Sequence, residues 1–145
     1  MHLSFIMDGN RRWAKQHMLQ TLLGHQEGRM RVEEMIELCF DEGIECCSFW
    51  AIAKKNIENR SQEELTYLFQ ILLDCVENLT SRLIEKSIRF DWVGNPDILP
   101  EHIVRVLNNT REKSKNGTKM TFILAIGYGG QDEIIRGIKK FVQEG

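Results

Sequence analysis

The four cysteines of this 145-residue chain, Cys39, Cys46, Cys47 and Cys75, form neither a CxxC nor a CxxH spacing. That excludes the common zinc frameworks and gives no sign of a disulfide scaffold, so buried free thiols in a reducing compartment are the expectation. Charge of one sign is also missing. Lysine and arginine total 19 against 21 acidic residues, for a net charge of −2. No global field draws the chain to nucleic acid, and any anion binding must come from local clusters. No apolar run is long enough to span a bilayer and no signal-like segment opens the sequence, which predicts a cytoplasmic protein. Neither a Walker A loop nor a GxGxxG fingerprint occurs, so the common nucleotide cradles are not in play. Repeats and low-complexity linkers are lacking as well, and residues 1–145 read as a single domain.

What is present is an alternation of short apolar runs with long amphipathic stretches. Leu3 to Met7, Ile44 to Ile52, Ile88 to Val93 and Met120 to Ile126 read as strands, apolar at nearly consecutive positions as strands covered on both faces should be. Between them His25 to Glu42, Ser61 to Leu83, Pro100 to about Ser114 and Gln131 to Val142 read as helices. Ser61 with Glu64 three residues on has the form of a capping box. The alternation predicts an α/β fold, a parallel sheet flanked by helices. The stripe Leu65, Leu68, Phe69, Leu72, Val76, Leu79 and Leu83 fits either core packing or the wall of an apolar channel.

One segment concentrates chemistry. Ile6-Met7-Asp8-Gly9-Asn10-Arg11-Arg12-Trp13 runs from an apolar strand straight into an acid, a glycine, an amide and two arginines, with a helix following. Ligands of open α/β sheets bind at the carboxyl ends of strands. Gly9 permits close backbone approach, a helix start favours anions, and arginine forks match phosphate oxygens. Asp8 would repel a phosphate unless a divalent cation mediates, and Mg2+ binds one or two carboxylates together with substrate phosphates. The residue types therefore suit a Mg-diphosphate site; a solvated turn with two surface arginines suits them too. On residue type alone His25 reads first as a cap or structural hydrogen-bonder, Trp13 as core and Asn56 as a loop residue.

His2 to Trp13, then Gly24-His25 and Gly28, resemble the opening signature of the cis-prenyltransferases, the undecaprenyl and dehydrodolichyl diphosphate synthases. The likeness continues through Phe49 to Arg60, Val93-Gly94, and Tyr128-Gly129-Gly130 with Asp132-Glu133-Ile134-Ile135, covering essentially the whole chain. The resemblance implies an undecaprenyl diphosphate synthase-like fold, usually a homodimer, that uses Mg2+ to join isopentenyl diphosphate to an allylic diphosphate such as farnesyl diphosphate. It implies that Asp8 is the essential acid at the metal and that Gly9, Asn10, Arg11 and Arg12 hold the allylic diphosphate with His25 beside them. Trp13 would pack near the prenyl or diphosphate end, Asn56 would match an asparagine linked to proton abstraction, and Arg60 would close the same block as a further substrate contact. Peripheral membrane contact would come only through the apolar product.

The chain also departs from the family pattern. Arg11 stands where glycine is frequent, Thr21 where an arginine is common, Ala53 for serine and Ile57 for an aromatic residue. Arg60 aligns only with one residue inserted after Asn56, and Gly127 and Gln131 replace a frequent asparagine and arginine. The family normally continues past Gly145 into an RxxxxxRxS segment that binds isopentenyl diphosphate and carries another acid for Mg2+. Its absence predicts a C-terminally incomplete domain, which would bind allylic diphosphate without turnover if nothing supplies the rest. A non-catalytic partner subunit is the rival reading, but such partners generally lose the first-strand acid and keep the later motif. An unrelated phosphatase would need its own nucleophile or metal cluster, and the sequence offers neither.

Overall fold

The computed structural model describes residues 1–144; Gly145, the end of the expected domain, lies outside the described residues. Four strands, β1 (His2–Ile6), β2 (Cys46–Ala53), β3 (Ile88–Val93) and β4 (Met120–Tyr128), form one sheet in the order β1-β2-β4-β3. Every neighbouring pair is parallel. Parallel pairing requires crossovers, and the long amphipathic stretches supply them. The helices are α1 (Asn10–Gln16), α2 (Thr21–Asp41), α3 (Lys54–Asn59), α4 (Gln62–Glu85), α5 (Glu101–Ser114) and α6 (Gly130–Glu144). A short 3-10 turn at Pro96–Ile98 precedes α5.

One face of the sheet is the core. Cys47 and Phe49 of β2, Phe90 and Trp92 of β3, and Phe122 and Leu124 of β4 point the same way and are buried. Phe122 meets Phe49 edge-on at 5.8 Å, an arrangement favoured by the ring quadrupoles, and Phe90 at a 59° tilt at 5.4 Å. Ile36 of α2, Leu79 and Leu83 of α4, and Ile103 and Leu107 of α5 close over them, each almost wholly shielded from solvent. The outer edge of β3 is satisfied by α5: Phe90 N donates to Ser114 Oγ at 3.0 Å, and Arg111 donates to the Trp92 carbonyl at 2.7 Å. Among the described residues no comparable cover lies along β1, which pairs with β2 alone.

The strands differ from the expectation of cover on both faces. Burial alternates along β2, β3 and β4, because α2, α4 and α5 pack into the same core. The other face carries His2, Ser4 and Ser48, whose side chains hydrogen-bond in a row (3.0 and 2.8 Å), followed by exposed Ile6 and Trp50. The apolar residues of α6 likewise remain uncovered, Ile134, Ile138 and Phe141 among them. Only its first turns are fixed, by Asp132 between Lys54 (2.6 Å) and Arg136 (2.9 Å) and by Arg136 on the Gly94 carbonyl (3.2 Å).

Candidate functional site

The β1–α1 turn is built by Gly9, whose φ of 102° is open to glycine and costly for other residues. Gly9 N donates to Asp8 Oδ1 at 2.6 Å, and Arg12 reaches back to Asp8 Oδ2 at 3.0 Å. Gly9 has no side chain to cap α1, so the first-turn N–H groups are left free for another acceptor. What fixes α1 is its bed on α2. A Cβ at Gly24 would lie 2.2 Å from the Asn10 carbonyl oxygen, and one at Gly28 would lie 2.4 Å from Asn10 Nδ2. The glycines spaced four apart on α2 are thus the groove into which Asn10 settles, with buried Ala14 behind it.

Beside this turn opens a cavity of about 350 Å3. Its mouth is polar: Asp8 to Arg12, His25 and Arg60 line it. The rest of its lining is largely apolar, with Val32 of α2, Leu124 of β4, and Leu68, Ile71, Leu72 and Cys75 of α4; Arg29 of α2, bound to Glu33, is the charged exception. The α4 stripe therefore serves in both of the ways its pattern allowed. Leu65, Leu79 and Leu83 pack in the core, while Leu68 and Leu72 face the cavity.

His25 is buried, and its Nε2 lies 3.2 Å from Glu64 Oε1. The same oxygen accepts from Arg60 Nη1 at 3.0 Å. Burial lowers the pKa of His25; Glu64 opposes the shift, and the charges of Arg60 and Arg11 add to it. At neutral pH the ring is therefore a neutral hydrogen-bonder, and the positive charge of the mouth resides on the arginines. Only half of the expected capping box forms. Ser61 Oγ accepts from Glu64 N at 3.2 Å, but the Glu64 carboxylate, instead of returning to the Ser61 backbone, is drawn to His25 and Arg60.

Of the residues singled out in the sequence, Asp8, Gly9, Asn10, Arg11, Arg12, His25 and Arg60 converge on this mouth. Two lie elsewhere. Asn56 Oδ1 accepts from Ala53 N at 3.1 Å, so its amide holds the start of α3 and is not part of the cavity lining. Trp13 stacks on His17 with centroids 4.3 Å apart and is not part of the cavity lining. Two residues escaped sequence reasoning, Glu64 and Arg29. Arg29 stands four residues after His25 on α2, the spacing that places side chains on one face, whereas Arg60 reaches Glu64 from the extended link between α3 and α4. Among the described residues no three His, Cys, Asp or Glu side chains gather to hold a metal. Asp8 is a single, well-exposed carboxylate.

Fold and site together define a parallel α/β protein whose cleft joins a cationic mouth to an apolar pocket. The family is given by comparison. The sequence profile described as putative undecaprenyl diphosphate synthase matches residues 6–145, and the chain belongs to that family. It is 33% identical over 138 residues to the farnesyl-diphosphate-specific ditrans,polycis-undecaprenyl-diphosphate synthase of Micrococcus luteus, covering 95% of this chain and 55% of that protein. It is 34% identical over 145 residues to the geranylgeranyl-diphosphate-specific tritrans,polycis-undecaprenyl-diphosphate synthase of Thermoplasma volcanium, covering 99% and 56%. The structure of lavandulyl diphosphate synthase from Lavandula x intermedia, in complex with dimethylallyl diphosphate, superposes with a TM-score of 0.93 at 30% identity, covering 99% of this chain and 61% of that one. The chain thus spans between half and two thirds of the length of these relatives.

Proposed function

We propose that this chain carries the allylic-diphosphate site of a Mg2+-dependent cis-prenyltransferase, which condenses isopentenyl diphosphate with an allylic diphosphate to give a polyprenyl diphosphate. The observation that carries the proposal is the junction of Arg11, Arg12 and Arg60 with an apolar pocket lined by Leu68 and Leu72. A diphosphate at the mouth with its prenyl tail inward satisfies both ends of such a cavity. Asp8 fits the share of a Mg2+ site that one protein carboxylate takes, since this cation keeps several waters and binds substrate phosphates. Bound there, Mg2+ would neutralise charge on the departing diphosphate.

The residues divide the remaining work. Ionisation of an allylic diphosphate moves negative charge onto the leaving group, so Arg11, Arg12 and Arg60 stabilise the transition state more than the ground state. Gly9 and Asn10 present backbone to the same group. Glu64 holds Arg60 and His25 in place, so that neither needs to reorganise as charge develops. With Asn56 committed to the start of α3, the proton lost from the product cation goes to another acceptor, such as the diphosphate itself or water.

The test is incorporation of labelled isopentenyl diphosphate into extractable prenyl product with Mg2+, run with dimethylallyl and with farnesyl diphosphate, beside an Asp8→Ala control. Product that vanishes in Asp8→Ala supports the proposal, and undiminished product in that variant refutes the role of Asp8. A second reading is binding of the allylic diphosphate without turnover by this chain alone. It is favoured by the cation supply of the cavity: Arg29 is tied to Glu33, which leaves Arg11, Arg12 and Arg60 at the mouth, enough for one diphosphate where the reaction needs two. Tight, Mg2+-dependent binding with no product distinguishes that reading. Action as a homodimer, a cytoplasmic location and membrane contact through the product remain proposals that follow from family membership; no described helix is long and apolar enough to cross a membrane.

A further inference from the structure

Asn10 lies against Gly28 and Ala14 against Gly24, so α1 and α2 run antiparallel and residues 17–20 form the tip between them. The tip is a regular helix stop. Leu19 N donates to the Ala14 carbonyl at 2.9 Å and Met18 N to the Lys15 carbonyl at 3.2 Å, the paired bonds of a Schellman motif. The residue just past the cap of such a motif is left-handed and is usually glycine. Here it is Met18, with φ 57°, a conformation that crowds any Cβ against the following carbonyl.

Neither local structure nor packing accounts for a methionine at this place. Met18 is 94% exposed, and Leu19 next to it and Leu23 in the first turn of α2 are each 41% exposed. The charges around this apolar tip are of one sign. Residues 9–26 hold Arg11, Arg12 and Lys15 and no aspartate or glutamate, although the whole chain carries 21 acidic against 19 basic residues. Arg12 is paired with Asp8, whereas Arg11 and Lys15 have no ion-pair partner among the described residues. Met18 and Leu19 line one open surface depression together with Arg11, Arg12 and Lys15.

We propose that this hairpin tip docks the protein on an anionic phospholipid bilayer, with Met18 and Leu19 entering the headgroup region while Arg11 and Lys15 meet lipid phosphates. A soluble polyanion such as RNA would engage the cations and leave Met18 in water. A bilayer engages both, because its surface is negative and the layer beneath is apolar. Arg11 and Arg12 also line the mouth of the cavity, so docking by the tip brings that mouth close to the membrane. The contact is made by the protein's own side chains and needs neither substrate nor product. It goes beyond the diphosphate reading and does not depend on it.

Cosedimentation of the full chain with vesicles, in the absence of any substrate, tests this. One set is phosphatidylcholine alone and the other contains about one-third phosphatidylglycerol, for which the wild type should show at least about tenfold stronger partitioning. Met18→Gly relieves the left-handed position and removes the apolar wedge. It should unfold at no lower urea concentration than wild type, yet bind anionic vesicles about tenfold more weakly. Met18→Asn, whose side chain is also at ease in the left-handed region, should behave alike. Lys15→Gln should lose about fivefold. Pyrophosphate affinity should stay at the wild-type value in all three variants, which separates docking from the site. Wild-type protein that ignores anionic vesicles overturns the proposal and leaves the diphosphate reading untouched. So do Met18 variants that bind those vesicles as wild type does, since charge alone would then suffice, as in a patch for RNA.

Discussion

Replacing Gly24 by alanine sets two effects against each other. Inside a helix the exchange is intrinsically favourable by about 1 kcal/mol, because glycine loses more backbone freedom on folding. At Gly24 the new methyl would stand 2.2 Å from the Asn10 carbonyl oxygen and 3.0 Å from Ala14 Cβ. Neither neighbour is a flexible side-chain end, so α1 must back away from α2 by roughly 1 Å, and overpacking of this kind costs ~1–3 kcal/mol. The net expectation is a loss of up to about 2 kcal/mol in urea unfolding followed by circular dichroism. The same shift displaces Asn10, Arg11 and Arg12, and misplacement by an ångström can cost up to ~100-fold in a positioned site. Pyrophosphate affinity should therefore fall at least about tenfold. Gly137, in α6, is the control: nothing lies within 4 Å of its added Cβ. Gly137→Ala should be neutral or stabilising by up to ~1 kcal/mol with unchanged affinity. A Gly24→Ala protein as stable and as tight-binding as wild type would refute the argument that glycine spacing seats the site.

Further outcomes follow from the polar groups. His25 titrates below its ordinary value of 6.5 because it is buried, so the folded chain takes up this proton less readily than the unfolded chain. Its stability contribution is full above pH 6.5 and declines as pH falls below it; urea midpoints measured down this range should drop less in His25→Gln. Glu64→Gln, which strips the charge shared by His25 and Arg60, should cost about 1–3 kcal/mol and lower the His25 pKa further in an imidazole NMR titration. An unmoved His25 resonance would contradict the assigned contact. Burial pushes the Cys47 thiol up to about 12 and Cys75 up to about 11. Both should resist iodoacetamide at pH 8 in the folded chain and react on unfolding, with half-buried Cys46 labelled first.

Much of the fold was legible because parallel strands and amphipathic crossovers leave distinct periodicities, and all four strands and the four long helices lie where those patterns place them. Helix α1 was legible only as a continuation of the motif, and α3 not at all: Lys54–Asn59 is six polar-rich residues, too short to show a period. The open sheet face was misread because near-continuous apolar runs do not reveal which side a helix will occupy. At the site, Asp8 to Arg12 are contiguous and announce themselves. His25 joins them through α2 and Arg60 from the link between α3 and α4, and what unites those two is Glu64, which the sequence pattern assigned to a cap. Competition between the Ser61 backbone and two basic side chains for one carboxylate is a tertiary matter, decided for the side chains. Arg29 offered only its four-residue spacing from His25, since a lone arginine on a helix is ordinarily a solvated one.

The position of β1 has a dynamic consequence. It is the edge strand left without a covering helix, and Asp8 and Gly9 are its direct continuation. Edge strands fray more readily than interior ones, and each such opening would loosen the turn that holds Asp8. An anion clasped between that turn and Arg60 on the far side of the cavity would act as a staple, linking the edge to α4. Ligand occupancy and amide protection of residues 2–6 should then rise together, while protection of the interior strand β4 stays at the global level. The outer rim of the sheet would in this way report on the state of the site.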